Sequence, residues 1–385
     1  MTNGFSLRAV VLCCALGMAW ALALPPHPAT ATGTAVSAVP GPTASPLSLL
    51  NASGTQVRGH PGSPAVPEVS ALSWVVADAD TGEVLAAHDA HRPLPPASTL
   101  KTLFALTVLP TLPGDTRHTV TREDLAGLGE GSSLVGVREG LTYRVSDLWR
   151  GVFLNSGNDA VHVLAALDGG VAGTVRKMQA KAHALGARDT HVVSPDGYDA
   201  PGQVSSAYDL AVFGRVGLQN PDFARYCGTA SSDFPGDSGT YRIANTNRLL
   251  TGANGVTVYP GLIGVKNGYT TKAGNTLVAA ARHGQRTLVV TVMNPQKGGG
   301  LAVYEEARSL LDWGFAASGR VTPVGSLLPE RPSVRSGATT VPASNGAHGT
   351  GSHWPEGAAL AGAVGVGVGA AVALVLRLRN ARIRG

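Results

Sequence analysis

Cysteine is nearly absent: the 385 residues hold three, and two of these, Cys13 and Cys14, sit together in an apolar run near the N-terminus. Cys227 stands alone in the remainder, so no internal disulfide framework is available and stability must come from a buried core. Lysine is scarce too, with six against twenty-four arginines; beside abundant Ala and Gly this reflects base composition and carries no mechanism. The eleven histidines form no HExxH or comparable cluster, so no metal site is expected. Between Asn158 and Lys266 the chain contains no glutamate. The net charge of +5 owes much to Arg377, Arg379, Arg382 and Arg384, and gives no ground for nucleic-acid binding.

The two ends carry the long apolar runs. Arg8 precedes AVVLCCALGMAWALAL, and Ala29 and Ala31 supply small residues for cleavage, so residues 1–31 read as a signal peptide; an uncleaved N-terminal anchor is the alternative. Cys13 and Cys14 are then apolar filler. Residues 358–376 contain no charge and would span roughly 30 Å as a helix, the thickness of a bilayer core. They read as one C-terminal transmembrane helix, with 377–385 (RLRNARIRG) a basic cytoplasmic tail. The chain is thus expected to be a single-pass cell-membrane protein whose folded part is extracellular. Gly365 and Gly369 form a GxxxG pattern, here a matter of composition more than a dimer seam.

Residues 32–67 and 320–357 are rich in Pro, Ala, Thr, Ser and Gly without an apolar period, and read as a disordered linker and a disordered tether. The globular unit is then 68–319. In it, ALSWVVAD, the turn DADTG and EVLAAHD give a hairpin signal. Helical periods follow at 99–109, 145–154, 159–167, 174–185 and 206–218. Strands are expected near 261–270, 274–282 and 286–293, and a last helix over 301–315. This order predicts an α+β fold: one antiparallel sheet built from both chain ends, flanked by helices, with the helical middle inserted as a lobe and a site in the cleft beside it.

Three short stretches carry possible chemistry. In STLK, Ser98 falls at a predicted helix N-terminus and Lys101 lies one turn on, so its amine can return to the Ser98 hydroxyl. A serine nucleophile needs a base, and a neutral lysine can serve; an isolated SxxK also arises by chance. In LNSGND, Ser156 or Asn158 could simply cap the next helix, or both could face the cleft. In GVKNGYT, Lys266 could be a solvated edge residue. Alternatively, Gly264 and Gly268 bare one side of the strand, which then suits an extended peptide with a nearby negative charge.

The order SxxK, SxN, KxG, together with PASTLKTLFALTVL, LNSGNDAV, SPDGYDAPGQVSSAYDLA, NTNRLL, GYTTKAGNTLVAAA and LLDWGF, resembles the penicillin-recognising serine acyl-transferases. In particular it is similar to the low-molecular-mass D-alanyl-D-alanine carboxypeptidases of the peptidase S11 type, over about residues 69–316. The resemblance implies a β-lactamase/DD-peptidase-like fold and a penicillin-binding enzyme that trims the terminal D-Ala from peptidoglycan stem pentapeptides. It implies Ser98 as nucleophile, Lys101 as its base, and Ser156 as the proton relay to the leaving amine. Asn158 would hold the stem peptide, and Lys266 would keep Lys101 neutral and attract the terminal carboxylate. Asn267, Gly268, Tyr269 and Thr270 would line the substrate strand, with the N–H groups of Ser98 and Tyr269 as the oxyanion hole. Its partners would be the stem peptide, β-lactams as inhibitors and the membrane; no cofactor is implied.

The sequence also departs from the family pattern. A class A β-lactamase needs a glutamate between the second and third motifs, and none is there. The family usually has Thr where Asn267 stands, and many relatives place an arginine just before the last helix, where this chain reads GGGLAVYEEA. These departures imply weakened or altered carboxypeptidase activity; the alternative is a catalytically weak or inactive wall-binding module on the same fold.

Overall fold

The turn DADTG is closed by its own side chain: Asp78 Oδ1 accepts from the N–H groups of Asp80 and Thr81, both at 2.9 Å. The computed structural model describes residues 49–329. Within them the chain runs through β1 (Thr55–Gly59), β2 (Ala71–Asp78), β3 (Glu83–His88), α1 (Lys101–Val108), β4 (Arg117–Thr119) and β5 (Thr142–Arg144). The helical middle follows with α2 (Val145–Leu154), α3 (Asn158–Leu167), α4 (Val171–Ala184), α5 (Ala207–Leu218) and α6 (Pro221–Cys227). Then come β6 (Ser231–Gly236), β7 (Gly239–Ala244), α7 (Arg248–Thr251), β8 (Leu262–Thr270), β9 (Gly274–His283) and β10 (Arg286–Pro295). The last elements are α8 (Ala302–Ala317), β11 (Val321–Thr322) and β12 (Gly325–Ser326).

Both chain ends build the main sheet, in the order β11-β1-β3-β2-β10-β9-β8, with β12 paired to β3. Its ladders are antiparallel, and β10 joins the first hairpin to the last strands, Val290 opposite Val76 on one side and Ala279 on the other. The central strands read as near-continuous apolar runs because helices cover both faces. Alternate residues belong to different cores. Val76, Leu288, Val290 and Val292 cluster with Val303, Ala307, Leu310 and Leu311 of α8. Val75, Ala77, Val278 and Val289 cluster with Leu103 of α1 and with Leu210 and Phe213 of α5. That second core continues without a break into Trp149, Phe153 and Val161 of the helical middle, so the inserted helices share a core with the sheet. Strand β8 is left as a sheet edge facing the junction, which is where the site forms.

The folded unit is larger than the 68–319 expected from composition. Strand β1 lies inside the expected 32–67 linker, yet pairs with β3 and β11, and Leu50 is buried. Beyond 319, β11, β12, Val324 and Leu327 pack back, the last two nearly fully buried. Strand β1 exposes most of its residues, so no apolar alternation marks it in the sequence. The segments expected to be a signal peptide, the remainder of the linker and tether, a transmembrane helix at 358–376 and a basic tail lie outside the described residues. Among the described residues no helix is long and apolar enough to cross a membrane.

Candidate active site

The turn that carries Ser98 is shaped by two prolines. Pro95 and Pro96 delay the helix, so Ser98 sits in a 3₁₀ turn (Ala97–Leu100) ahead of α1 rather than at an α-helix N-terminus. Ala97 takes φ +49°, a left-handed conformation that costs a non-glycine residue about 1–2 kcal/mol. Packing holds it there. Thr276 Oγ1 donates to Pro96 O at 3.1 Å, and Gly197 presses against the Ala97 carbonyl so closely that no β-carbon would fit. The turn brings Lys101 Nζ to 2.7 Å from Ser98 Oγ.

The second stretch meets the same amine. Lys101 Nζ donates to Asn158 Oδ1 at 2.7 Å and lies 3.4 Å from Ser156 Oγ. Neither residue caps α3: the N-cap is Gly157, without a side-chain cap bond. Ser156 instead takes φ +57° and is buried beside the lysine, the second strained residue of the site. The amide of Asn158 is fixed from its other end, Nδ2 donating to Ser132 Oγ at 3.0 Å.

The third stretch approaches along β8. Lys266 is 1% exposed, which removes the solvated-edge reading, and its Nζ donates to Asn267 O at 2.7 Å. Gly268 lies directly on the Ser98 turn: a β-carbon there would stand 2.6 Å from Ser98 N. Only a bare strand can come so near. The Tyr269 side chain is largely exposed. Asn267 Oδ1 accepts from Thr246 Oγ1 at 3.0 Å. Thr270 is committed elsewhere: its hydroxyl donates to Asp199 Oδ1 at 2.8 Å and accepts from Ala273 N at 3.1 Å, fastening the end of β8 rather than offering a free hydroxyl.

Burial sets the electrostatics. Desolvation lowers the Lys101 ammonium to about 8, against the opposing pull of Asp196 and Asp159. Lys266 is held well below the usual lysine range, by burial first and by the charge of Lys101 second. The two amines therefore disfavour being charged together.

Several residues around the site carry no motif. Asp159 accepts from the N–H groups of Val135, Gly136 and Val137 at 3.0, 2.8 and 2.8 Å. It thus pins the loop that carries Ser132. Asp196 accepts from Ser194 Oγ and Tyr198 N at 2.7 and 3.0 Å, and lies 3.5 Å from His162 Nε2. Although its own burial works the other way, the hydrogen bond from His162 and the charge of Lys101 hold its carboxyl down at about 2. The signals in the sequence were slight: an acid directly after SGN, and one beside the glycine of SPDG. Among the described residues no group of His, Cys, Asp and Glu could hold a metal ion.

The chain is similar in sequence and fold to known proteins. The family model for D-alanyl-D-alanine carboxypeptidase, peptidase S11, matches residues 60–297. The D-alanyl-D-alanine carboxypeptidase DacB2 of Mycobacterium tuberculosis is 43% identical over 269 residues, 69% of this chain and 89% of that protein. DacD of Escherichia coli, also a D-alanyl-D-alanine carboxypeptidase, is 36% identical over 68% of this chain and 67% of its own. Among solved structures, a D-alanyl-D-alanine carboxypeptidase from M. tuberculosis superposes with a TM-score of 0.64 at 40% identity, covering 70% of this chain and 100% of the other. The Streptomyces K15 DD-transpeptidase gives 0.60 at 26%, over 66% and 100%. With the family model matching residues 60–297 and a relative 43% identical over 89% of its own length, the chain belongs to the D-alanyl-D-alanine carboxypeptidase family, peptidase S11.

Proposed function

We propose that this protein is a serine D-Ala-D-Ala carboxypeptidase, acylated by penicillins, that removes the terminal D-Ala of peptidoglycan stem peptides. One observation carries the reading: Ser98 Oγ stands 2.7 Å from the amine of Lys101, a lysine whose burial lowers its pKa to about 8, so that a fraction of it is the neutral amine near pH 7. Such an amine takes the Ser98 proton as Oγ bonds to the penultimate D-Ala carbonyl carbon. The oxyanion that forms sits between Ser98 N–H and the backbone N–H of Tyr269, beside the bare Gly268. The proton passes from Lys101 through Ser156 to the amide nitrogen of the terminal D-Ala as its C–N bond breaks. D-Ala departs as the free amine and an ester to Ser98 remains. Water then attacks this ester, gives one proton to Lys101, and Ser98 Oγ recovers it as the acid is released. Asn158, held between Lys101 and Ser132, positions the stem peptide, which pairs along the free edge of β8.

The inactive wall-binding module is not favoured, because nucleophile, base and relay are all in hydrogen-bonding order and the similar proteins carry the name of the enzyme. The β-lactamase reading still lacks a glutamate between Asn158 and Lys266. The test is labelling of the full-length protein by a fluorescent penicillin, with D-Ala release from a stem pentapeptide followed in parallel. Both are expected for the wild type and neither for Ser98→Ala; label that survives in Ser98→Ala would sink the proposal.

A further inference from the structure

The departing D-Ala carries a carboxylate, and the positions that the family resemblance ties to it hold Asn267 and a segment, GGGLAVYEEA, without arginine. Lys266 is a poor substitute, being buried with its amine turned to the Asn267 carbonyl. Beside these residues opens a cavity of about 930 Å³, bounded by Asn267, Gly268, Arg248, Tyr304 and, at its exposed side, Lys297. Gly268 touches both this cavity and the Ser98 turn, so the cavity opens next to the turn that carries Ser98.

We propose that Arg248 binds the terminal carboxylate of the substrate and makes this enzyme selective for a free C-terminus; the assignment rests on the carboxypeptidase reading above. Three observations carry it. First, Arg248 has no carboxylate partner among the described residues, whereas Arg150 and Arg225 pair with Asp147 and Asp222 at 2.6 and 2.7 Å. Second, no Asp or Glu lines the cavity, so nothing there competes with an incoming anion. Third, the arginine is held in place. It opens α7 behind Asn247, whose Oδ1 caps Leu249 N at 3.2 Å. Its guanidinium stands over the Tyr304 ring, 5.6 Å from the centroid, and Tyr304 in turn donates to Thr246 O at 3.2 Å. A half-buried guanidinium on an aromatic face presents a planar fork to a carboxylate. Lys297 is the rival cation, but its side chain is exposed at the mouth.

The experiment compares, on the full-length protein, an acyl-D-Ala-D-Ala peptide as free acid with the same peptide as its C-terminal amide. Wild type should turn over the acid with the higher kcat/KM. Arg248→Ala should lose on the order of 10- to 100-fold on the acid, the effect of one hydrogen-bonded charge, with little change on the amide. The unchanged amide rate also reports an intact fold. Arg248→Lys should recover part of the preference, and Lys297→Ala should keep all of it. The assignment is overturned if wild type is active without preferring the acid, if Arg248→Ala keeps the wild-type ratio or lowers acid and amide alike, or if Lys297→Ala abolishes the preference. A wild type that neither turns over the peptides nor is acylated by penicillin removes the carboxypeptidase reading and this assignment with it.

Discussion

Lys101 Nζ has Ser98 Oγ and Asn158 Oδ1 each at 2.7 Å, and two opposed influences act on its proton. Burial drives the ammonium down from 10.5 to about 8, and the negative charges of Asp196 and Asp159 limit the fall. In the proposed mechanism the neutral amine is the base, and it exists above its pKa. The second-order rate of penicillin acylation should therefore rise about tenfold per pH unit below 8 and level off above it. Asp196→Asn removes a charge that favours the ammonium, so its inflection should move to lower pH. A rate–pH profile measured with a penicillin checks both, and an inflection moving upward in Asp196→Asn would contradict the reading. The stability linkage has the matching sign. The native lysine releases its proton near 8 and the unfolded one near 10.5, so this group adds stability as pH rises between those values and contributes none of that gain below them.

At the level of elements, the edges of the sheet divide the work. Strand β8 ends the sheet with an unpaired edge, which the proposed function gives to the substrate, while the opposite side is closed by β1, β11 and β12. Leu50, Val321, Val324 and Leu327 are all buried within or beside those closing pieces, and Trp313 Nε1 donates to Pro64 O at 3.1 Å. A shortened protein spanning 68–319 loses all of these. It should be less stable than one spanning 49–329 by roughly 5 kcal/mol, from about 1.5 kcal/mol or more per buried side chain. Thermal unfolding should show a melting temperature lower by about 10 °C; equal melting temperatures would mean that the end segments contribute no packing. The same contrast explains what was legible beforehand. Strands β8, β9 and β10 and helices α2 and α5 announce themselves, because burial on one or both faces forces apolar runs of the right period. Strand β7 exposes five of its six residues, so no pattern marks it. The motifs were readable because STLK, SGN and KNG each sit at a local turn or strand. Asp159, Asp196, His162 and Arg248 were not, since their partners stand in distant segments and become visible when the chain is folded.

Across the whole molecule, a carboxypeptidase acting on wall peptides meets its substrate outside the cytoplasmic membrane, so the proposed function calls for a means of export and retention. No helix among the described residues can span a bilayer. We propose that residues 358–376, uncharged and about 30 Å long as a helix, anchor the protein. Arg377, Arg379, Arg382 and Arg384 would stay in the cytoplasm, which leaves the folded unit outside. The residues from 330 to 357 have the composition of a flexible tether, with a span of about 30 Å, enough to let the β8 edge reach stem peptides above the lipid. Deleting 358–385 removes the span and the arginines and leaves the site untouched. The shortened protein should move from the membrane fraction to the soluble or secreted fraction, with penicillin acylation unchanged. If it instead stays with the membranes, the C-terminal anchor is wrong and the apolar run after Arg8 is the segment that holds it.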